Sequence, residues 1–405
     1  MLDHSRATHV TSCDDLTLSV FHGRDGLIAL QDDWIKLSGA FGLRHFYQSL
    51  PWYQSFLEVF DADEQSVSFY VFYRQGSPVA IFPLRRGSIR LNGISLRCLE
   101  LPSHPHLYLR DCIGNPSEEM SNSFHALVAY LRRQTETPWD LIYLSHVPKD
   151  SAITLALREK TYPLTVSTSV GRSSYISCEE GYSKVEQNMS GTFRRNMKRL
   201  ARRAEQAGPL ELRVCRTPEE LRQAFPAFLE VEASGWKGGV GNGTAIICQP
   251  DLVEFYRKMM EYFSLTGECV INLLLQNGTC VAGQFCIHRD GVLNILKIGY
   301  HEAYSDFAPG NLLMSRVLED SCRNGQTRAV SFVTDPVWSR AWRPSSFDIS
   351  DHYIFNHTWR GVLAGLVTTG RNRAGRLIRR RAAGSASTTK PEINNPTIAT
   401  QEEKI

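Results

Sequence analysis

Three short apolar runs, at residues 269–275, 281–288 and 292–299, are joined by Gln276-Asn-Gly-Thr279 and by Arg289-Asp-Gly291. Asn-Gly and Asp-Gly readily take the positive φ angles of a tight hairpin turn. Between apolar runs they are the strongest short-range signal for antiparallel pairing. The runs are therefore read as consecutive strands of one meander. Apolar residues at helical spacing precede it at 218–236 and 251–265 and follow it at 311–323, and a further strand reads at 329–334.

The first half has a looser version of the same order. Helical patterns span 27–37 and 46–60, the latter with Trp52, Tyr53, Phe56, Leu57 and Phe60 on one stripe. Strands at 67–73 and 79–84 flank the turn composition Arg74-Gln-Gly-Ser-Pro78, a helix follows at 124–133, and strands read at 139–145 and 166–177. Each half thus runs helices, strands, helix, strand: a repeat of architecture without visible sequence identity. At 405 residues, 42% hydrophobic and 21% charged, the chain has material for two cores. The expected class is α/β (α+β): two tandem units, each a mixed, mainly antiparallel sheet flanked by helices. The expected division is a flexible terminus at 1–14, units at 15–170 and 171–365 with a basic junction helix at 192–206, and a basic, then disordered, tail at 366–405.

A net charge of +3 excludes a polycation, so any anion must meet a local basic patch. The ten cysteines form no Cys-x-x-Cys pair, so no metal is expected. The polar first residues do not read as a secretory signal, and no apolar run approaches about 18 residues. The chain is expected in the cytoplasm, with any membrane contact peripheral.

Val281-Ala-Gly-Gln-Phe-Cys-Ile-His288, Leu293-Asn-Ile-Leu-Lys-Ile-Gly-Tyr300, Phe307-Ala-Pro-Gly-Asn-Leu-Leu313 and Gly235-Trp-Lys-Gly-Gly239 together resemble the CelD-type acetyltransferases of cellulose and exopolysaccharide biosynthesis. These belong to the GNAT acyltransferase superfamily and are related in fold to the Fem-type peptidyltransferases. The resemblance covers most of residues 15–360 and is closer in the second half. It implies transfer of an acyl group from acetyl-CoA, or another acyl-CoA, to an amine of a sugar or cell-envelope precursor. It equally allows a Fem-like transferase using aminoacyl-tRNA, or an inactive GNAT-fold assembly factor for polysaccharide synthesis.

The implied donor site is Ile298 with Ala308, Gly310, Asn311 and Leu312, where a loop feeds a helix N-terminus whose N–H groups and dipole suit phosphate. GNAT enzymes carry Gln/Arg-x-x-Gly-x-Gly/Ala there. Pro309 removes one N–H from that loop, and the Pro-Gly pair also reads as a plain turn into a helix. Tyr300 is placed to protonate a leaving thiolate, or to pack as a half-buried aromatic. Glu232 and its neighbour Glu230 are candidate bases, and Asp335 is a candidate for positioning the acceptor. Trp236 and Lys237, in a glycine-rich loop, form an acceptor wall or a plain connection. Lys297, a charge in an apolar strand, faces an anion or solvent.

Arg194, Arg195, Lys198, Arg199, Arg202 and Arg203 fall on one side of a helix whose other side carries Phe193, Met197, Leu200, Ala201 and Ala204. Six cations in ten residues without an acid point to an anionic partner, with Arg195 and Arg199 as contacts. With the arginines of 371–381, they also suggest an anionic membrane face or polysaccharide-synthesis machinery. DNA is not expected.

Overall fold

The structure is a computed structural model that describes residues 7–10, 16–41, 45–61, 66–104, 106, 108–134, 138–159, 162–239 and 241–385. In the first half, β1 (Ala7–Val10) and β2 (Leu16–His22) precede α1 (Gly23–Ala29), α2 (Gln31–Phe41) and α3 (Leu50–Phe60). Then come β3 (Val67–Arg74), β4 (Ser77–Leu91), β5 (Ile94–Glu100), α4 (Glu118–Arg133), β6 (Leu141–Pro148), α5 (Ala152–Glu159) and β7 (Thr165–Ser177). In the second half, α6 (Tyr182–Asn188), α7 (Gly191–Ala207) and β8 (Leu210–Cys215) precede α8 (Pro218–Glu232) and α9 (Pro250–Ser264). The meander follows as β9 (Cys269–Gln276), β10 (Thr279–Arg289) and β11 (Val292–Tyr300), and then α10 (Pro309–Arg323), β12 (Ala329–Ser331), β13 (Ser345–Phe355) and α11 (Trp359–Ser385).

The thirteen described strands join one sheet in the order β1-β2-β3-β4-β5-β6-β13-β7-β12-β11-β10-β9-β8. The two halves are matched: an antiparallel meander, a helix, then a strand parallel to the last of the meander, β6 beside β5 and β12 beside β11. The final strand of each half is exchanged. β7 leaves its own half to pair with β12, and β13 crosses back to pair with β6. The exchanged strands pair with each other over ten positions, from Ser345↔Tyr175 to Ile354↔Thr165.

Polar groups hold this junction in register. The buried Asp351 carboxylate accepts from the Tyr143 hydroxyl at 2.6 Å and the His146 N–H at 2.8 Å. His352, buried beside it, bonds Thr154 through Nε2 and Ser167 through Nδ1, and burial lowers its pKa to about 4. A second bond between the halves lies on one face of the sheet. There α3 packs on α9, with Phe60 and Phe255 at a centroid distance of 5.0 Å and Lys258 paired with Glu58 at 2.7 Å. One core cluster runs through both halves, from Trp34, Trp52 and Phe69 to Phe228, Phe255 and Phe285.

Three boundaries differ from expectation. The 170/171 division falls inside β7, because that strand serves the other half. Within the terminus expected to be flexible, Ala7–Val10 pairs with β2 as an edge strand. The tail expected from 366 is helical to Ser385, because α11 packs on the sheet: Ala364 and Thr368 are buried, and Arg371 bonds Asn92. Residues 386–405 lie outside the described residues, as does Cys13.

Since β6 and β12 each borrow their last partner, a fragment of residues 178–337 should fail to fold cooperatively. The full chain should unfold in one calorimetric transition whose van't Hoff and calorimetric enthalpies agree. Two separable transitions would count against the exchange as the coupling element.

Candidate functional site

The site forms where β11 parts from β12. The two pair only at Val292↔Ala329, Leu293↔Val330 and Asn294↔Ser331, while β11 runs on to Tyr300. On its other side β11 keeps its ladder with β10, but the register slips: Cys286 faces Ile295 and Phe285 faces Lys297. Leu296 is therefore the extra residue of a bulge, a device that re-aims side chains. Ile298, Gly299 and Tyr300 then line one cavity, while Leu296 and Lys297 line another.

The first cavity, about 430 Å³, is roofed by the loop into α10 and includes Ala308, Gly310 and Asn311. The 3-10 turn Glu302–Phe307 ends at Ala308, which caps α10 with φ 50° and ψ 63° and no side-chain hydrogen bond. The Asn311 and Leu312 N–H groups turn back to the Ala308 carbonyl, and Pro309 has none to offer. Among the described residues no acceptor meets the Gly310 N–H. It and the positive end of a 15-residue helix therefore face the cavity. The Asn311 side chain is held by Trp342 Nε1 at 3.3 Å.

The floor is set by a close approach of α8. A Cβ on Gly299 would lie 2.4 Å from the Glu232 Cα, so only glycine lets this helix end cross β11. Glu232, 2% exposed, accepts from the Ile246 N–H at 2.9 Å and from Lys237 Nζ at 3.4 Å. Lys237 also donates to the Ile298 carbonyl at 3.2 Å. Both side chains border the cavity, and these bonds pin the glycine-rich loop to β11.

The second cavity, about 600 Å³, lies between the halves. From the second half come Lys297, Asp335 and Phe332; from the first come Trp52, His106 and Tyr108. Burial, with the nearby Lys237 ammonium and against the pull of Glu232, lowers the Lys297 pKa to about 8. Burial, with Lys297, His104 and Lys237, holds His106 at about 3, so it is a neutral ring. Two buried polar atoms of this wall, Trp52 Nε1 and His106 Nδ1, have no hydrogen-bond partner among the described residues. A buried donor left unmade costs about 1–3 kcal/mol, a cost that a polar ligand would relieve.

The structure thus brings Tyr300, Ile298, Ala308, Gly310, Asn311, Glu232 and Lys237 to the first cavity and Lys297 and Asp335 to the second. Leu312 does not join them. At the end of the first turn of α10 it is buried in the core with Leu313 and Met314. Arg195 and Arg199 are exposed on α7 and line neither cavity, whereas Met197, Leu200 and Ala204 are buried, as the amphipathic pattern requires. α7 reaches the site through Arg203, which donates to the Asp306 carboxylate at 2.8 Å, just before the loop into α10. The Trp236 side chain lies outside the described residues. Sequence reasoning missed Trp338 at the first cavity and the wall from the first half. The His104-Pro-His106 and Tyr108 stretch, polar and aromatic without a period, was the readable signal for that wall.

Residues 191–337 match the family model described as Acetyltransferase (GNAT) domain. The chain therefore carries a GNAT domain and is an acyltransferase. No curated protein sequence matches it. Among solved structures it is similar to FemX, with a TM-score of 0.54 at 10% identity over 82% of this chain and 98% of that one. It is also similar to L-PGS from Bacillus licheniformis, with a TM-score of 0.49 at 13% identity over 84% and 96%. A tandem GNAT protein from the clavulanic acid biosynthesis pathway gives 0.44 at 12% over 84% and 98%. At such identities the likeness concerns the fold, and the FemX match carries it.

Two substitutions check the local physics. Lys297→Met should stabilise the protein by roughly 2–3 kcal/mol at pH 7, where the native state holds a charge that burial penalises. Above pH 8 the folded protein releases this proton while the unfolded chain keeps it. Wild-type stability then rises with pH, and the advantage should shrink toward pH 10 in denaturant titrations. Ala308→Gly should add about 1 kcal/mol by removing a left-handed non-glycine residue.

Proposed function

We propose that the chain is an N-acyltransferase that takes its acyl group from acetyl-CoA or another acyl-CoA and passes it to an amine of a sugar or cell-envelope precursor. The observation that carries this reading is the parting of β11 from β12 at the Leu296 bulge. It leaves one cavity at a helix N-terminus and another between the halves, adjoining along a single strand.

The α10 terminus suits the phosphates of the donor, with the Gly310 N–H as first ligand; Pro309 leaves it one N–H fewer than a loop without proline. The acceptor lies in the inter-half cavity. Its aromatic walls suit the C–H face of a sugar, and Trp52 Nε1, Lys297 and Asp335 suit hydroxyl, anionic and ammonium groups. The neutral amine attacks the thioester carbonyl, the N–C bond forms, the C–S bond breaks, and the amine proton ends on the thiol. Tyr300, beside Gly310 at the first cavity, relays that proton: its hydroxyl donates to the leaving sulfur and regains the proton that the amine releases.

A second reading, a Fem-like transferase using aminoacyl-tRNA, is favoured by one contact. The Arg203–Asp306 pair sets the cationic face of α7 against the loop that roofs the donor cavity. A tRNA bound with an affinity falling steeply with salt would select it.

Acetyl-CoA at a hundredfold excess over its Kd should raise stability by about 2.7 kcal/mol. Gly310→Arg should abolish this shift: its Cβ has room, 3.6 Å from Tyr300 Cδ1, but the longer side chain fills the cavity. Tyr300→Phe should keep the shift and lower kcat by about a hundredfold. No shift with acetyl-CoA, longer acyl-CoAs or desulfo-CoA would remove the coenzyme A reading.

A further inference from the structure

Helix α11 presents its apolar side to solvent. One face is packed: Gly361, Ala364, Gly365 and Thr368 lie against the sheet, with Gly365 close to Phe355. Asp140 anchors the helix start by accepting from the Thr358 hydroxyl at 2.8 Å, and the same hydroxyl oxygen accepts from the Gly361 N–H. The face pointing away from the sheet should be polar on a helix that ended its work there. Instead it carries Trp359 at 71% exposure, Leu363 at 45%, Leu366 at 60% and Val367 at 36%. Twelve large hydrophobic residues are exposed among the described ones, and four of them sit on these three turns.

Their spacing is i, i+4, i+7 and i+8, which at 3.6 residues per turn confines them to an arc of about 100°. Arg360 and Arg373 flank that arc, and the Arg360 guanidinium lies 5.2 Å from the Trp359 ring centre. Over Trp359–Ser385 the sequence has seven arginines, at 360, 371, 373, 376, 379, 380 and 381, and no Asp, Glu or Lys. Leu377 continues the apolar spacing in sequence.

We infer that α11 is an in-plane docking helix for an anionic lipid surface. The charge decides between occupants. A second copy of the chain would bring a helix with the same wholly basic charge against this one, and like charges repel across such a contact. An anionic headgroup layer offers the complementary charge, and the boundary below it accepts Trp and Leu side chains. No described helix is long and apolar enough to cross a membrane, so the helix lies along the surface. Apolar insertion and basic attraction together make the two signals that stable anchoring needs, where one alone is marginal.

The test is flotation of the full chain with vesicles of phosphatidylcholine alone or mixed with phosphatidylglycerol, at low and high salt. Binding to the mixed vesicles, weakening with salt and about tenfold or more weaker on neutral ones, is expected. Leu363→Ser combined with Leu366→Ser should reduce it by about tenfold or more, with an unchanged circular dichroism melt because both residues are exposed. Arg379→Gln, Arg380→Gln and Arg381→Gln together should weaken binding and flatten its salt dependence. No binding to the anionic vesicles at low salt would overturn the proposal, as would binding indifferent to both variants. So would a dimer, seen by sedimentation, that the Leu363/Leu366 variant dissociates.

Discussion

The exchange of β7 and β13 is the constraint on which the rest of this molecule depends. Without it, each half would close its own sheet, and the two would meet through side-chain packing, chiefly α3 on α9 and the start of α11 on β5 and Asp140. With it, the halves share one backbone ladder, and neither β6 nor β12 has a full set of partners until the other half is present. The buried Asp351 and His352 make the join specific. A register slip of one residue would strand both side chains away from the hydroxyl and amide partners that satisfy them. The inter-half cavity follows directly, because the ladder and the α3–α9 contact hold Trp52, His106 and Tyr108 opposite Lys297 and Asp335.

At the site itself, packing and charge divide the labour. The bulge at Leu296 and the glycine at 299 are steric devices that let β11 turn away from its neighbour while α8 crosses it. Glu232 and Lys237 bond each other and the backbone around them, which fixes the glycine-rich loop against β11. Lys297 is held differently: it lies near a like charge, and burial is the main cause of its lowered pKa. A protein keeps such a group at a cost in stability, and cavities with chemistry in them are where that cost is usually met.

Much of this was legible in the sequence. Asn277-Gly278 and Asp290-Gly291 specified the meander, and both turns use positive φ at those residues. The helix over 311–323 and the opposed faces of α7 followed from apolar spacing alone. The missing pieces differ in kind. β5 alternates apolar and polar residues over Ile94–Cys98, a readable strand signal that the expected elements left out, whereas β13 opens on Ser345, Ser346 and Asp348 and runs Ser350-Asp351-His352 through its middle, polar because it is a junction strand. The α11 segment read as a tail, because its arginines and glycines hide the four residues, Gly361, Ala364, Gly365 and Thr368, that touch the sheet. The cavity at the α10 N-terminus was legible through Ala308 and Gly310, where backbone chemistry has a signature. The wall of the inter-half cavity was not, because it joins residues about 190 or more positions apart, and no local pattern encodes such a meeting.

The exchanged strand also sets a timetable for synthesis. A ribosome completes β6 and β7 long before it reaches β13, with about 170 residues still to be added. At roughly 5–20 residues per second this is a wait of about 8–35 seconds. During that interval the emerging first half exposes one edge of β6 and an unpaired β7, the kind of open edge on which other chains nucleate. The Ser, Thr and Arg residues that fill β7 from Thr165 to Ser174 make that edge polar while it waits. The same residues that weaken this strand as a core element thus protect the nascent chain until its partner arrives.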